Sequence, residues 1–230
     1  MNAVNKNVEL VVGLNIPAEV GMAEEDICTP ALIIDLDAFE KNVKLLGDFV
    51  KDKGIRLRPH AKTHKSADIA LYQIEHGGAC GICCQKVSEA KVLAAAGVKD
   101  ILVSNQVVSL RQIAHLAAMA RETRVIVCVD DPGNVDDLSA AAVKSGTKIE
   151  CLVEIDCGSG RCGVNWGEPT VAIARRIAAA EGLSFSGLQA YHGSAQHVHD
   201  FVLRQAKIDL AIKQVADTVE MLKVEGLDCL

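Results

Sequence analysis

The chain reads as an α/β fold of parallel strands, with a (β/α)8 barrel favoured over an open doubly wound sheet, on three observations. Short, near-continuously apolar runs recur at 31–37, 55–59, 79–84, 100–104, 124–130, 149–156 and 185–191, the content expected of strands covered on both faces. Segments of helical periodicity separate them, one strand–helix unit every ~25 residues, which calls for parallel strands and right-handed crossovers. Polar residues gather where the apolar runs end: His60 and Lys62, Gln85, Asn105, Asp130, Glu154 and Asp156, Tyr191 and His192. In a barrel these positions converge on one mouth, whereas in an open sheet only the strands flanking the switch point meet. The even spread favours the barrel.

In chain order, residues 1–28 read as an irregular lead-in. Glu9, Asn15 and Pro17 interrupt its apolar content, so it does not resemble a signal peptide. A first strand follows at 31–37, then a helix with Phe39, Val43, Leu46 and Val50 on one face. Helix starts are marked by Ser66, by a Ser109…Gln112 capping box, and by Asp131 ahead of Pro132. Helix ends are marked by Gly54, Gly77, Gly97, Gly146, Gly182 and Gly226, where a left-handed cap favours glycine. A helix is expected to begin near Pro169, and the last one carries Ile208, Ile212, Val215, Val219 and Leu222 on one face. There is no long linker, low-complexity tract or sequence repeat.

The length suits one large domain or one and a half, and half of the residues are apolar, which excludes intrinsic disorder. With 24 basic and 30 acidic residues the formal net charge is −6, a balance that argues against a nucleic-acid or anionic-membrane surface. No apolar run approaches the ~18 residues of a membrane span. The nine cysteines, most within apolar runs, read as buried free thiols suited to a reducing cytoplasm. Cys80-Gly-Ile-Cys83 has the spacing of a redox or zinc pair but lacks a second pair.

Three segments carry candidate chemistry. In Arg56-Leu-Arg58-Pro-His60-Ala-Lys62-Thr-His64-Lys65, six of ten residues are basic or imidazole. This is either a solvated basic loop or the setting of an activated lysine, because neighbouring cations and desolvation at a barrel mouth lower an amine's pKa and make it a nucleophile toward carbonyls. Gly158-Ser-Gly160-Arg-Cys-Gly163 matches a dinucleotide fingerprint after a strand. The next helix starts too late for that motif, so a strand-end loop holding Glu154, Asp156 and Arg161 is the better reading, with Arg161 free to donate to a buried ligand acceptor. Gln189-Ala-Tyr191-His192-Gly-Ser-Ala-Gln196-His197 places a tyrosine and a histidine at a strand end. A histidine there is either structural or an acid–base group; His197 and His199 read as surface residues at a helix start.

Taken together with Thr29-Pro30-Ala-Leu-Ile-Ile-Asp35-Leu-Asp37, Gly81-Ile-Cys-Cys-Gln85-Lys-Val-Ser-Glu89-Ala90 and Cys128-Val-Asp130-Asp131, these segments resemble the D-threonine aldolase and 3-hydroxy-D-aspartate aldolase group from about residue 28 onward. The resemblance implies an alanine-racemase-type barrel using pyridoxal 5′-phosphate (PLP) to cleave D-β-hydroxy-α-amino acids into glycine and an aldehyde. Lys62 matches the Schiff-base lysine and Arg161 the arginine facing the pyridine nitrogen. Gln85 and Tyr191 match residues near the cofactor, and His192 the histidine that takes the substrate's β-hydroxyl proton. The resemblance also implies a divalent metal, manganese or magnesium, and a homodimer when full length.

Relatives of that group continue with a glycine-rich phosphate-binding strand end, the rest of the barrel and a β-rich second domain that carries the metal ligands. None of these is found in the chain, so the expectation is a partial barrel over 29–230, about six barrel strands plus one preceding strand, inactive as an isolated piece. A closed barrel typically takes about 250 residues. Three alternatives stay open: a PLP- and metal-dependent D-serine or 3-hydroxy-D-aspartate dehydratase, a non-catalytic PLP-binding barrel, and a dinucleotide-binding protein.

Overall fold

The computed structural model describes residues 9–229. They divide between Val43 and Lys44 into two compact units. In the first, Asn15 braces a tight turn, accepting from Val11 N at 2.8 Å and donating to Glu9 O at 2.8 Å. A short 3₁₀ turn spans Glu24–Asp26, and α1 (Leu36–Lys51) begins where Asp35 accepts from Ala38 N at 2.9 Å. The strand expected at 31–37 is absent. A strand needs a ladder partner, and residues 31–35 have none among the described residues; Asp35 instead starts the helix.

The second unit is a five-stranded, wholly parallel sheet in sequential order: β1 (Ile82–Cys84), β2 (Asp100–Gln106), β3 (Arg124–Val129), β4 (Ile149–Glu154) and β5 (Leu183–Gln189). α2 (Ala67–Glu75) precedes β1, α3 (Val87–Ala95), α4 (Leu110–Met119), α5 (Pro132–Ser145) and α6 (Glu168–Ala179) run between the strands, and α7 (Phe201–Val224) follows β5. Sequential parallel order with a helix in each crossover is the arrangement of an incomplete (β/α)8 barrel. The segment expected as a strand at 55–59 is a looser neighbour of β1. Cys80 N donates to Leu57 O, Cys83 N to Pro59 O and Ala61 N to Cys83 O, but Pro59 has no N–H to extend the ladder.

Alternation along each strand separates two faces. Ile82, Ile101, Val103, Val125, Val127, Val129, Ile149, Cys151 and Val153 pack with α-helical residues such as Leu93, Ile113, Leu116, Leu138 and Ile177 into one continuous core. The opposite face carries Cys83, Leu102, Ile126, Leu152 and Leu188, which line cavities at the two ends of the strands. At the end of β2 the register with β3 shifts between Val103 and Gln106. A bulge of this kind bends a strand and re-aims its side chains; here it carries Ser104 and Asn105 to a cavity wall.

Caps follow the sequence in part. Ser66 accepts from Ile69 N, and Asp131 accepts from Gly133 N and Asn134 N ahead of α5. Gly146 closes α5 at φ +63°, in the left-handed region that glycine reaches without a Cβ clash. Ser109 is the N-cap of α4 but makes no side-chain cap bond, so the expected capping box does not form. Gly78, not Gly77, has the positive φ beyond α2. On α7 the buried residues are Ala211, Thr218 and Leu222; of the expected apolar stripe Leu222 is buried and Ile208, Val215 and Val219 are half-buried, whereas Ile212 is exposed. The buried Thr218 hydroxyl accepts from Gly167 N at 2.9 Å and donates to Gln214 O at 2.7 Å.

Candidate active site at the carboxyl ends of the strands

Lys62, Gln85, Arg161 and Tyr191, singled out on separate segments of the sequence, line one cavity of about 530 Å³ with Arg58, His60, Cys83, Ser104, Asn105, Glu154 and Gln189. They come from the 58–62 stretch beside β1 and from the ends of β1, β2, β4 and β5 or the loops after them, which is where a parallel α/β sheet assembles sites.

The basic run resolves into distinct roles. Arg58 turns toward the strands' amino ends, where it pairs bidentately with Asp100 at 2.6 and 2.8 Å. Lys65 sits at φ +53° and pairs with Glu89. Glu89 also accepts from Gln85 N at 2.9 Å and Lys86 N at 3.3 Å. Burial pushes the Glu89 carboxyl up, but the Lys65 bond and these amides outweigh it and hold it below the usual carboxylate range. Lys62 is thus the lysine of the run that faces the cavity. His60 approaches Ser104 Oγ at 3.4 Å, and its Nδ1 accepts from Lys62 N at 3.3 Å. Burial, reinforced by the Lys62 charge, pulls the His60 imidazole below its usual pKa. Burial pushes the Cys83 thiol up.

Across the cavity, the Arg161 guanidinium lies over the Tyr191 ring, 5.6 Å from its centroid, a cation–π arrangement. Its Nη2 is 3.9 Å from Oε1 of Glu154, a carboxylate that is only 3% exposed. Glu154 also accepts from Gln106 Nε2 at 2.6 Å and from the Cys162 thiol at 3.4 Å. The Cys162 contact is foremost in pushing the Arg161 guanidinium further up. Gln196 Nε2 donates to the Tyr191 hydroxyl at 2.8 Å.

The loop 158–163 binds its own carboxylates. Gly158 N and Gly160 N both donate to Asp156 Oδ1 at 3.0 Å, and Gly163 N donates to Asp130 Oδ2 at 2.9 Å. The two glycine amides hold the Asp156 carboxyl below its usual range. No helix opens within the glycines, since α6 starts at Glu168. The amides that a pyrophosphate would need are therefore occupied, and the dinucleotide alternative has no geometry to support it. His192 stands beside this loop, outside the cavity lining; its Nδ1 is 3.2 Å from Ser194 Oγ. Ser159 Oγ accepts from Gly193 N at 2.9 Å and donates to Tyr191 O at 2.8 Å, which ties the 158–163 loop to the Tyr191–His192 segment.

Sequence reading missed the partners that come from elsewhere in the fold. Ser104 carried no motif of its own, and Gln189 opened a motif only as a flank of Tyr191 and His192, although both follow the strand-end rule that found Gln85 and Asn105. Among the described residues no group of three or more His, Cys, Asp or Glu side chains stands ready to hold a metal ion, and no helix is long and apolar enough to cross a membrane.

Comparison with known proteins agrees with the fold. The family profile "Alanine racemase, N-terminal domain" matches residues 34–228. The chain is 50% identical over 228 residues to the 3-hydroxy-D-aspartate aldolase of Paracoccus denitrificans (strain Pd 1222), covering 99% of this chain and 59% of that protein. It is 41% identical over 218 residues to the D-threonine aldolase of an Arthrobacter species, covering 95% of this chain and 57% of the relative. Among solved structures, the D-threonine aldolase from Filomicrobium marinum superposes with a TM-score of 0.90 at 47% identity, covering 93% of this chain and 57% of the other. The chain therefore spans somewhat over half the length of these relatives.

Proposed function

This chain belongs to the alanine racemase N-terminal domain family, and from that premise we propose that it is the cofactor-binding part of a PLP-dependent aldolase that cleaves D-β-hydroxy-α-amino acids to glycine and an aldehyde. The supporting relatives are a 3-hydroxy-D-aspartate aldolase and a D-threonine aldolase. The observation that carries the reading is the meeting of Lys62, Arg161, Tyr191 and Gln85 in one cavity. Those side chains fit the aldehyde and ring of PLP: an amine to bond the aldehyde, a guanidinium to donate toward the ring nitrogen, and an aromatic face beside it. Bound there, the cofactor supplies an electron sink for the pair released when the Cα–Cβ bond breaks.

The chain's own residues do the rest. Lys62 would hold the cofactor through its amine. Arg161, kept charged, donates to the ring nitrogen without surrendering a proton. Tyr191 and Gln85 orient the ring. His192 takes the β-hydroxyl proton, so that the hydroxyl carbon leaves as the aldehyde. The proposal keeps a manganese or magnesium ion for orienting that hydroxyl. It also keeps a homodimer, a small D-hydroxy amino acid as the binding partner, a cytoplasmic setting suited to nine free thiols, and a partial PLP-binding barrel over 29–230.

Borohydride reduction in the presence of PLP, followed by peptide mapping, tests the lysine. The label is expected on Lys62 and lost in Lys62→Ala. A label that stays in Lys62→Ala, or maps to Lys65, overturns the assignment. Product analysis separates glycine plus aldehyde from the 2-oxo acid plus ammonia of a dehydratase.

A further inference from the structure

We propose that His60, as the neutral Nε2–H tautomer, is the positioning residue that fixes the backbone of Lys62 and so aims its amine into the cavity; the inference rests on the reading of Lys62 given above. The main chain on either side is already pinned to β1. Cys83 N donates to Pro59 O and Ala61 N donates to Cys83 O, both at 2.8 Å. One residue further the chain leaves the strand for a turn, and the N–H of Lys62 finds its acceptor in the His60 ring rather than in a backbone carbonyl.

The proton inventory selects one tautomer. An acceptor for a backbone N–H must carry no hydrogen, so Nδ1 is bare and Nε2 bears the proton. The Ser104 hydroxyl donates its single hydrogen to Cys84 O at 3.3 Å, which leaves a lone pair facing His60 Nε2 at 3.4 Å. Both neighbours thus want the same ring form. The chain of contacts runs from β1 through Ser104 on β2 and the imidazole to the lysine's own amide. Protonation would set an N–H against an N–H at Nδ1. The charged groups acting on the ring are Lys62 and Lys65, which oppose its protonation, and Glu89, which favours it; the Cys83 backbone contact favours it too. Burial is the largest influence and tips the balance toward the neutral ring.

Two measurements test this. Long-range ¹H–¹⁵N correlation on the protein without cofactor should show His60 as the Nε2–H tautomer at pH 7.5; an Nδ1–H tautomer or an imidazolium would overturn the inference whatever the cofactor chemistry. The second measures the rate at which PLP plus borohydride labels Lys62. His60→Asn keeps an acceptor near the Nδ1 position and should label at close to the parent rate. His60→Gln moves its amide to the Nε2 end, loses the bond to the Lys62 amide, and should label about fivefold more slowly, as expected for one hydrogen bond. Equal rates for the two variants, with unchanged circular dichroism and melting midpoints, would refute the positioning role. If the parent protein takes no label on Lys62 at all, the proposed function fails instead, and the tautomer measurement still decides His60.

Discussion

A Cβ built on Gly193 would stand 2.7 Å from Cε1 of Tyr191, and one built on Gly158 would stand 2.8 Å from Nε2 of His192. The two residues proposed to meet cofactor and substrate are therefore seated against bare backbone. Gly193→Ala adds its methyl with no left-handed strain, so the ring must yield: PLP affinity is expected to fall about tenfold with little change in melting midpoint, measured by absorbance titration and thermal denaturation. Gly158 lies at φ +121°, so Gly158→Ala adds backbone strain to the clash. Asp156 adds a pH dependence to the same loop. Its carboxyl is depressed by the Gly160 and Gly158 amides, so its contribution is complete above the ordinary aspartate pKa and disappears as pH falls through the lower folded value. Amide exchange at Gly158 and Gly160 should accelerate on acidification in the parent protein and already be fast at neutral pH in Asp156→Ala.

At the scale of elements, two helix starts with similar sequence signatures behave differently. Asp131 makes two cap bonds ahead of Pro132, whereas Ser109 makes none. Asp131→Ala should therefore lower stability by about 1 kcal/mol, and Ser109→Ala by a few tenths at most, read from denaturant midpoints. Thr218 shows the same dependence on context. Thr218→Val keeps the shape but removes both the acceptor of Gly167 N and the donor to Gln214 O. Leaving that amide without a partner in a buried position should destabilise the chain by about 2 kcal/mol. The exposure of Ile212 beside the buried Ala211 was beyond periodicity alone, because neighbouring positions on a helix share one apolar edge.

Across the molecule, a line of charges follows the amino ends of β2, β3 and β4, with Arg58 at one end and Ser186 of β5 at the other. Arg58 pairs with Asp100, Asp100 with Arg124 at 2.8 Å, Arg124 with Glu150 at 2.6 Å, and Glu150 accepts from Ser186 Oγ at 2.8 Å. Gly81 makes room for it, since a Cβ there would sit 2.5 Å from Asp100 O. Burial pushes the Asp100 carboxyl up, and its bonds to Arg58 and Arg124 more than reverse this; Glu150 is lowered chiefly by Arg124. Both depressed groups stabilise the folded state above the ordinary carboxylate pKa and cease to do so as pH drops through their folded values. Asp100→Asn should cost about 3 kcal/mol at pH 7 by leaving Arg58 uncompensated, and its stability should vary less with pH on the acid side, as urea titrations between pH 2 and pH 7 would report.

Much of this protein was legible from residue order. Near-continuous apolar runs, helical stripes between them and glycines at the breaks specify an α/β chain of parallel strands, because those patterns reflect local backbone preference and burial of both strand faces. The strand-end rule likewise located Lys62, Gln85 and Tyr191, since their place depends on where an apolar run stops, and the loop reading added Arg161. What only the tertiary structure decided is which group answers which. Lys62 and Lys65 are three residues apart and chemically alike, yet one faces the cavity and the other pairs with Glu89. Arg58 belongs to Asp100, 42 residues away. The apolar run at 31–37 is not a strand, because a strand exists only where another backbone lies alongside it. Long-range hydrogen bonds and ion pairs join residues distant in the chain, and no local pattern encodes the partner.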